Sequence, residues 1–386
     1  MKKKIVLIAA GAALLLLLLI SAGSFFVLSG LPDVTRLKHY RPPAAAEVLD
    51  RNDRQLASFY DRSLRYWMPI AEVPEHVIRA VVIAEDDTFF EHQGVNYKAT
   101  WDALVLDVKK RRFARGGSTI TQQMIKNVFL TKEKTILRKL REYVLARRAE
   151  EVLSKREILQ IYLNEVEWGE DLYGIEAASR AYFDKHVQEL SVGEAALLAG
   201  MLPNPRYYNP FKHPDKAKER RDQVLSNMLQ AHVIAEDEYD AAVAAPLNLR
   251  NPERARFAVS ASGAGNSPCC LRVLEEVLLE SYGAQGLYRE GKRIRTTLDR
   301  DLQDMLCSRE SADSRPEAKM PDQVAVVREG AVVRAFACES NEAAVRSWLA
   351  LPGDGAEAYT VTMLPLRELN AADIEAPAPA ETSRGN

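Results

Sequence analysis

From Ile5 to Gly30 the chain carries no charged side chain, and then the pattern changes abruptly. A run of that length exceeds the roughly 20 apolar residues that cross a bilayer, and also the apolar core of about 7–15 residues in a cleaved signal peptide. It therefore predicts a transmembrane anchor over residues 5–30, although "SAG" leaves a cleavage reading open. Lys2, Lys3 and Lys4 precede the run. They predict a cytoplasmic N-terminus over residues 1–4 and place the rest of the chain on the outer side of the membrane. Residues 31–48, with Pro42 and Pro43, read as a linker. "EVLDRNDRQLASFYDRSLRYWMPI" alternates well enough for a small hairpin turning at Asn52 and Asp53.

From Pro74 to about Val233 helical signals dominate. Pro74 suits a first helical turn. Thr119 with Gln122, Ser154 with Glu157, and Ser191 with Glu194 all have capping-box spacing ahead of apolar periodicity. Val224, Leu225, Met228 and Leu229 share one side of "DKAKERRDQVLSNMLQAHVI". Beyond Pro246 the chain changes character. "CLRVLEEVLLESYG" predicts a helix, and "KRIRTTL" and "QVAVVREGAVVRAFA" predict strands, the latter pair turning at Glu329 and Gly330. This second region, residues 249–370, reads as a small α+β unit, and residues 371–386 read as a disordered tail by composition. The expected fold class is mainly α.

Hydrophobic and charged fractions of 47% and 27% are ordinary for a folded chain, and a net charge of −2 offers no general attraction for nucleic acid. The four cysteines (Cys269, Cys270, Cys307 and Cys338) lie in the last third, without zinc-ligand spacing; an exported chain permits disulfides, with three possible pairings, and the cysteines read as structural rather than chemical.

Candidate chemistry starts at "RAVVIAEDDTFFEHQG". If a helix opens at Pro74, Glu85 falls at its C-terminal end. There the helix dipole and apolar neighbours both disfavour an anion and raise the carboxyl's pKa towards general-base duty. Asp86 and Asp87 follow, and His92 reads as a hydrogen-bonding partner rather than a metal ligand. In "ARGGSTITQQMIKN" the Gly-Gly pair leads into a helix start whose backbone N–H groups could meet an anion, with Lys126 two turns on. In "KTILRKLREYVLARRAEEVL", Lys134, Arg138 and Glu142 share one helix face beside Lys139. One carboxylate at a helix end and another among cations suit a reaction in which a proton is removed and a phosphate leaves.

"EDDTFFEHQG", "GGSTITQQMIKN", "RKLRE", "KREILQIYLNEVEWGEDLYGIEAASRAYF" and "RRDQVLSNM" resemble, in order, the five motifs of the peptidoglycan glycosyltransferases. These are the family 51 glycosyltransferases of class A penicillin-binding proteins and monofunctional polymerases. The resemblance covers about Leu49 to Asn248 and implies a lysozyme-like helical domain over residues 49–248. It also implies inverting polymerisation of lipid II onto a growing glycan strand, with release of undecaprenyl pyrophosphate. By motif position Glu85 is the general base, supported by Asp86 and His92, and Glu142 is the second catalytic carboxylate. Ser118, Thr119, Gln123, Lys126, Asn127, Lys134, Arg138, Lys139 and Asn164 fall at substrate-binding positions. No cofactor is required by this scheme, although Mg2+ or Mn2+ could sit near Glu85 or Glu142. The inner membrane is the expected partner surface, with a separate transpeptidase a further partner and the periplasmic side the expected location.

Between the first two motifs, Trp101, Leu104, Val105 and Val108 beside Lys109–Arg112 suit an interfacial helix, where the family places a membrane-dipping lobe. Lys134 stands where many members carry Arg, which keeps the charge but loses the bidentate fork. "YREGKRIRTTLDRDLQDML" resembles the segment leading into a transpeptidase, yet no S-x-x-K follows, so transpeptidase activity is not expected. Two other readings, a glycan-cleaving enzyme on a related fold and a non-catalytic scaffold, fit the cations and the retained carboxylates less well.

Overall fold

The computed structural model describes residues 11, 14–15, 17–18, 21–102, 117–131, 133, 135–169, 171–250, 260–261, 269–313, 322–329, 331–338, 345 and 359–376. These form two compact units, one of residues 1–41 and 68–249 and the other of residues 42–67 and 250–386.

The first unit is helical, as expected. Its helices are α1 (Glu75–Glu85), α2 (Ile120–Phe129), α3 (Ile136–Val152), α4 (Lys155–Glu165), α5 (Ile175–Phe183), α6 (Val192–Met201), α7 (Pro214–Gln230) and α8 (Glu236–Ala244). The three capping boxes read from sequence all form: Thr119–Gln122, Ser154–Glu157 and Ser191–Glu194. Each satisfies two backbone N–H groups that a helix start otherwise leaves unpaired. Helix α6 is buried along nearly all its length and packs against α1, α7 and α8, while α2 packs against α3 and α4. The run "AALLAGM" has no polar face, so the helix sits inside and the amphipathic helices surround it, while Glu194 at its start is paired with Lys185. Gly200 permits the closest of these approaches, since a Cβ there would stand 3.0 Å from Cγ of Arg220 on α7.

In chain order the strands are β1 (Ala46–Leu49), β2 (Gln55–Tyr60), β3 (Glu167–Gly169), β4 (Leu172–Tyr173), β5 (Ser260–Ala261), β6 (Arg293–Arg295), β7 (Gln323–Glu329), β8 (Val332–Ala337) and β9 (Tyr359–Pro365). Strands β3 and β4 pair within the first unit, and the second unit contains a four-stranded sheet in the order β5-β2-β1-β6 and a three-stranded antiparallel sheet in the order β8-β7-β9. Strands β1 and β2 are the predicted hairpin, with Asp53 at φ 61 in its turn. Asp50 fixes that turn by accepting the backbone N–H groups of Asn52 and Arg54. Successive β7 residues enter two different cores: Val324 and Val326 one, Ala325 and Val327 the other. That two-sided burial explains the unbroken apolar run in "VAVV". Helices α9 (Cys269–Tyr288, broken at Gly283) and α10 (Arg300–Asp313) complete the unit.

Several boundaries differ from the sequence reading. The hairpin, assigned with residues 49–248, packs in the second unit, because β1 pairs in parallel with β6, about 245 residues later. Residues 31–48 are structured rather than a free linker. A 3-10 helix at Val34–His39 buries Val34 and Leu37 in the first unit's core, and β1 begins at Ala46. Helix α10 and strand β9 carry no prediction from sequence. The first residues of the expected tail, Ala371–Asp373, form a further 3-10 turn, and residues 377–386 lie outside the described residues. Most of the expected anchor also lies outside them. Residues 21–28 are helical, and among the described residues no helix is long and apolar enough to cross a membrane.

Gly94 is the tightest backbone constraint in the first unit. It has φ +84, and a Cβ there would lie 2.6 Å from the Ala146 carbonyl oxygen of α3. Gly94→Ala is expected to lower the unfolding free energy by about 1 kcal/mol or more, measured by thermal denaturation.

Candidate active site

Glu85 is the last residue of α1, and Asp86 ends the helix with an extended φ of −164. The Glu85 carboxylate is partly buried and accepts a 2.7 Å hydrogen bond from Nε2 of Gln123 on α2. Burial raises its pKa above the ordinary glutamate value, with neighbouring Asp86 adding to the rise. The Gln123 hydrogen bond and the charges of Arg220 and Lys126 oppose that rise. The sequence reading of a perturbed carboxylate at a helix end therefore holds, with desolvation as the leading cause.

Asp86 is buried and points away from solvent. Nε2 of His92 lies 3.0 Å from both its carboxylate oxygens, and the backbone N–H of Ile120 donates to Oδ2 at 3.0 Å. The anion at the start of α2 is thus the protein's own. Thr119 N–H and Gln122 N–H are spent in the capping box, and Thr119 Oγ1 donates to the Gly94 carbonyl at 2.7 Å. Buried Thr119 therefore serves as a structural cap at the start of α2.

Behind the loop of residues 86–94, Lys155 at the start of α4 donates to the His92 carbonyl and to Glu150 at 2.7 Å each. Glu150 also accepts from Thr121 Oγ1 at 2.7 Å. The loop, α2, α3 and α4 are tied together there by one lysine and one glutamate.

The second carboxylate, Glu142, is only 2% exposed. It lies one helical turn from both its partners on α3. Arg138 donates to Oε2 at 2.8 Å, and Lys139 Nζ donates to Oε1 and, at 2.7 Å, to Ser118 Oγ. Lys126 on α2 feels this cluster and Glu85 together. Burial lowers its pKa, Glu142 and Glu85 raise it, and Arg138 and Lys139 push it down. Among the described residues Lys126 makes no direct ion pair, and Nε of Arg138 is buried without a partner. Three cations against one carboxylate leave the cluster two positive charges in excess.

A cavity of about 220 Å³ runs from Glu85 and Asp86 to Gly117, Ser118 and Thr119. Ser118 links its far side to Lys139 and Glu142. The cavity therefore has a partly buried carboxylate of raised pKa on one side and, through Ser118, the cationic cluster beyond the other.

The remaining sequence candidates divide. Asn127 is exposed on α2 one turn beyond Gln123. Lys134 and most of the expected interfacial helix, residues 103–116, lie outside the described residues, while Trp101 and neighbouring Tyr97 are exposed. Asn164 is a correction. It is fully buried, its side-chain amide donates to the Met68 and Gln160 carbonyls, and its oxygen accepts the Met68 N–H. Those bonds use its polar atoms to fasten the chain entering α1, which leaves it no role at a substrate. The expected divalent ion also finds no fitting donor set. Both Glu142 oxygens face cations, and among the described residues no three acidic, histidine or cysteine side chains cluster to hold a metal.

Two residues escaped the sequence reading. Tyr162 on α4 is fully buried, and its hydroxyl reaches Oε1 of Gln123 at 3.4 Å, orienting the amide that serves Glu85. Burial, with Glu85 and Asp86 nearby, holds its pKa well above the usual phenol value, so it stays a neutral donor. In sequence it passes for one more apolar position. Arg220 on α7 supplies a charge that favours ionised Glu85, whereas adjacent Arg221 turns to the Val243 and Ala245 carbonyls at the end of α8. The "RR" pair was a usable signal, but only the packing assigns the two roles.

The helical unit and its two-carboxylate site define a transglycosylase domain of the class A penicillin-binding protein kind. The comparisons agree: the family model described as "Transglycosylase" matches residues 52–229, and those residues form a domain of that family. Penicillin-binding protein 1A of Aquifex aeolicus is 38% identical over 277 residues, which is 72% of this chain and 37% of that protein. Penicillin-binding protein 1A of Vibrio cholerae is 35% identical over 279 residues, covering 72% and 33% respectively. The chain thus spans about a third of the length of these relatives. The crystal structure of penicillin-binding protein 1A from Haemophilus influenzae aligns with 69% of this chain and 29% of its own, at 20% identity. Its TM-score of 0.36 is too low to carry an argument.

Asn164→Ala is expected to destabilise the fold by about 1–3 kcal/mol, because it leaves buried Met68 backbone groups unpaired. Thermal unfolding checks this, and the activity per folded molecule is expected to stay near that of the wild type.

Proposed function

We propose that this protein is a peptidoglycan glycosyltransferase with a lysozyme-like helical domain. In this reading it polymerises lipid II into β-1,4-linked glycan with inversion, releasing undecaprenyl pyrophosphate. The observation that carries the proposal is the proximity of Glu85, a carboxylate with a raised pKa, to a cluster carrying two excess positive charges: Lys126 feels both Glu85 and Glu142, and Ser118, which lines the cavity with Glu85, accepts from Lys139.

The chemistry follows from that pairing. Glu85 takes the proton from the acceptor's sugar hydroxyl as that oxygen attacks the donor's anomeric carbon. The bond from that carbon to the pyrophosphate breaks, and the electron pair leaves with the phosphate oxygen. Lys126, Arg138 and Lys139 compensate that charge in a site whose dielectric is below that of water, where each fixed cation counts for more. Glu142 holds Arg138 and Lys139 in place through direct hydrogen bonds. Gln123, oriented by Tyr162, aims Glu85, and Asp86 with His92 holds the loop that follows it. No nucleotide site is needed, because the leaving group arrives already attached to lipid.

The uncharged run of residues 5–30 serves in this proposal as the inner-membrane anchor, with both units on the periplasmic side. Cys307 and Cys338 are disulfide-bonded, which suits an oxidising compartment. A separate transpeptidase would cross-link the glycan product.

Glu85→Gln is expected to reduce polymerisation of lipid II by about 10²–10⁴-fold, the range for loss of a general base. Gel separation of labelled glycan, checked by muramidase digestion, measures it; a wild-type ladder that persists in the variant overturns the assignment. The variant should not lose stability. A carboxyl whose folded pKa is raised binds its proton more tightly in the folded state. Ionising it therefore costs stability as pH climbs from the unfolded to the folded pKa, and at neutral pH Gln removes that cost. The melting temperature of Glu85→Gln near pH 7 is expected to equal or exceed that of the wild type.

Arg220→Met provides a second check. Removing a charge that lowers the Glu85 pKa should move the acid limb of the pH–rate profile to higher pH, with the alkaline limb unmoved.

A further inference from the structure

The helical segment at residues 21–28 ends at Ser29 and Gly30, where Gly30 takes φ +72. A helix end exposes carbonyl oxygens without intrahelical partners and carries partial negative charge. Here one side chain collects them. Arg141 on α3 donates from Nε to the Val27 carbonyl at 3.3 Å, and from one terminal nitrogen to the carbonyls of Phe26 at 3.2 Å and Ser29 at 3.3 Å. A few residues later Asp33 caps the 3-10 helix Val34–His39, which packs against α3 and buries Val34 and Leu37 in the core. The chain between residues 26 and 37 is thus fastened at two points to one helix, and that helix carries Arg138, Lys139 and Glu142.

We infer that Arg141 is a positioning residue that latches the end of the membrane anchor to the catalytic helix α3, so that the anchor sets the height of the cationic cluster above the bilayer. The inference rests on the polymerase and anchor readings above. Phe25, Phe26 and Leu28 expose their side chains beside this joint, and Ile136 and Leu140, spaced i and i+4, expose an apolar edge at the start of α3. Near a lipid surface little water reaches the terminal carbonyls, so a guanidinium that satisfies three of them contributes more than it would in water. Its planar fork matches several acceptors at once, which a lysine ammonium does less well. A substrate whose pyrophosphate is tethered to the bilayer must meet the cations at a fixed height, and a rigid joint supplies that registration where a flexible tether would not.

The test uses the full chain in lipid nanodiscs with spin labels on Leu28→Cys and Arg148→Cys. Cys307 and Cys338 are disulfide-bonded and do not compete for label, and Cys269 and Cys270 are changed to Ser throughout. The wild-type background is expected to give one narrow distance distribution, Arg141→Ala a broad one, and Arg141→Lys an intermediate one. Without labels, Arg141→Ala is expected to lower kcat for nanodisc-embedded lipid II about tenfold or more, with KM changed less and partial rescue by Arg141→Lys. An unchanged narrow distribution in Arg141→Ala overturns the latch. A broad distribution with wild-type turnover overturns its part in catalysis. Absence of polymer from the wild type sinks the polymerase reading instead, and the distance measurement still decides whether the latch exists.

Discussion

A buried carboxylate at the end of a helix is costly unless donors meet it, and Asp86 is met twice, by His92 and by the first backbone N–H of α2. That pair of contacts determines how α1 stops. Because Asp86 is pinned to the start of α2, the preceding residue, Glu85, is presented to Gln123 four residues into α2 rather than to bulk solvent. The loop that follows is held by the Thr119 hydroxyl on the Gly94 carbonyl and by Lys155 on the His92 carbonyl. Everything the site does depends on this joint, since it sets both the partial burial of Glu85 and its distance from the cations.

The two carboxylates are maintained in opposite electrostatic settings by the same scaffold. Glu85 is desolvated and has one neutral donor, so its proton affinity rises. Glu142 is buried more deeply but touches two cations directly. Burial without a direct ion pair suits Glu85 to the proposed part of a base, and burial with two direct ion pairs suits Glu142 to that of a counter-charge. Two glutamates of equal intrinsic chemistry therefore take different work, and the difference lies in what the neighbouring helices present to each.

Much of this was legible locally. Capping boxes are written in residues three apart, so Ser/Thr with Glu/Gln marked the starts of α2, α4 and α6 without knowledge of the fold. The hairpin turn at Asn52 and Asp53 and the helix ending near Glu85 were equally local. Asn164 shows the limit. Its motif context suggested a ligand contact, yet its amide is spent on Met68, about a hundred residues earlier in the chain, and no local pattern carries that information. Strand β9 and the β1–β6 pairing went unread for the same reason, because each depends on a partner distant in sequence.

By itself, then, the sequence determined the helical character of the first unit, the order of its motifs and the residue types available for proton removal and anion binding, because helix period, caps and turns are encoded within a few residues. Only the tertiary structure decided which of two adjacent arginines faces Glu85, that Tyr162 serves Gln123, that the Thr119 hydroxyl holds the Gly94 carbonyl, and that Arg141 grips the end of the N-terminal helix. Those assignments depend on which side chains are desolvated together, and burial is a property of packed elements rather than of any stretch of chain.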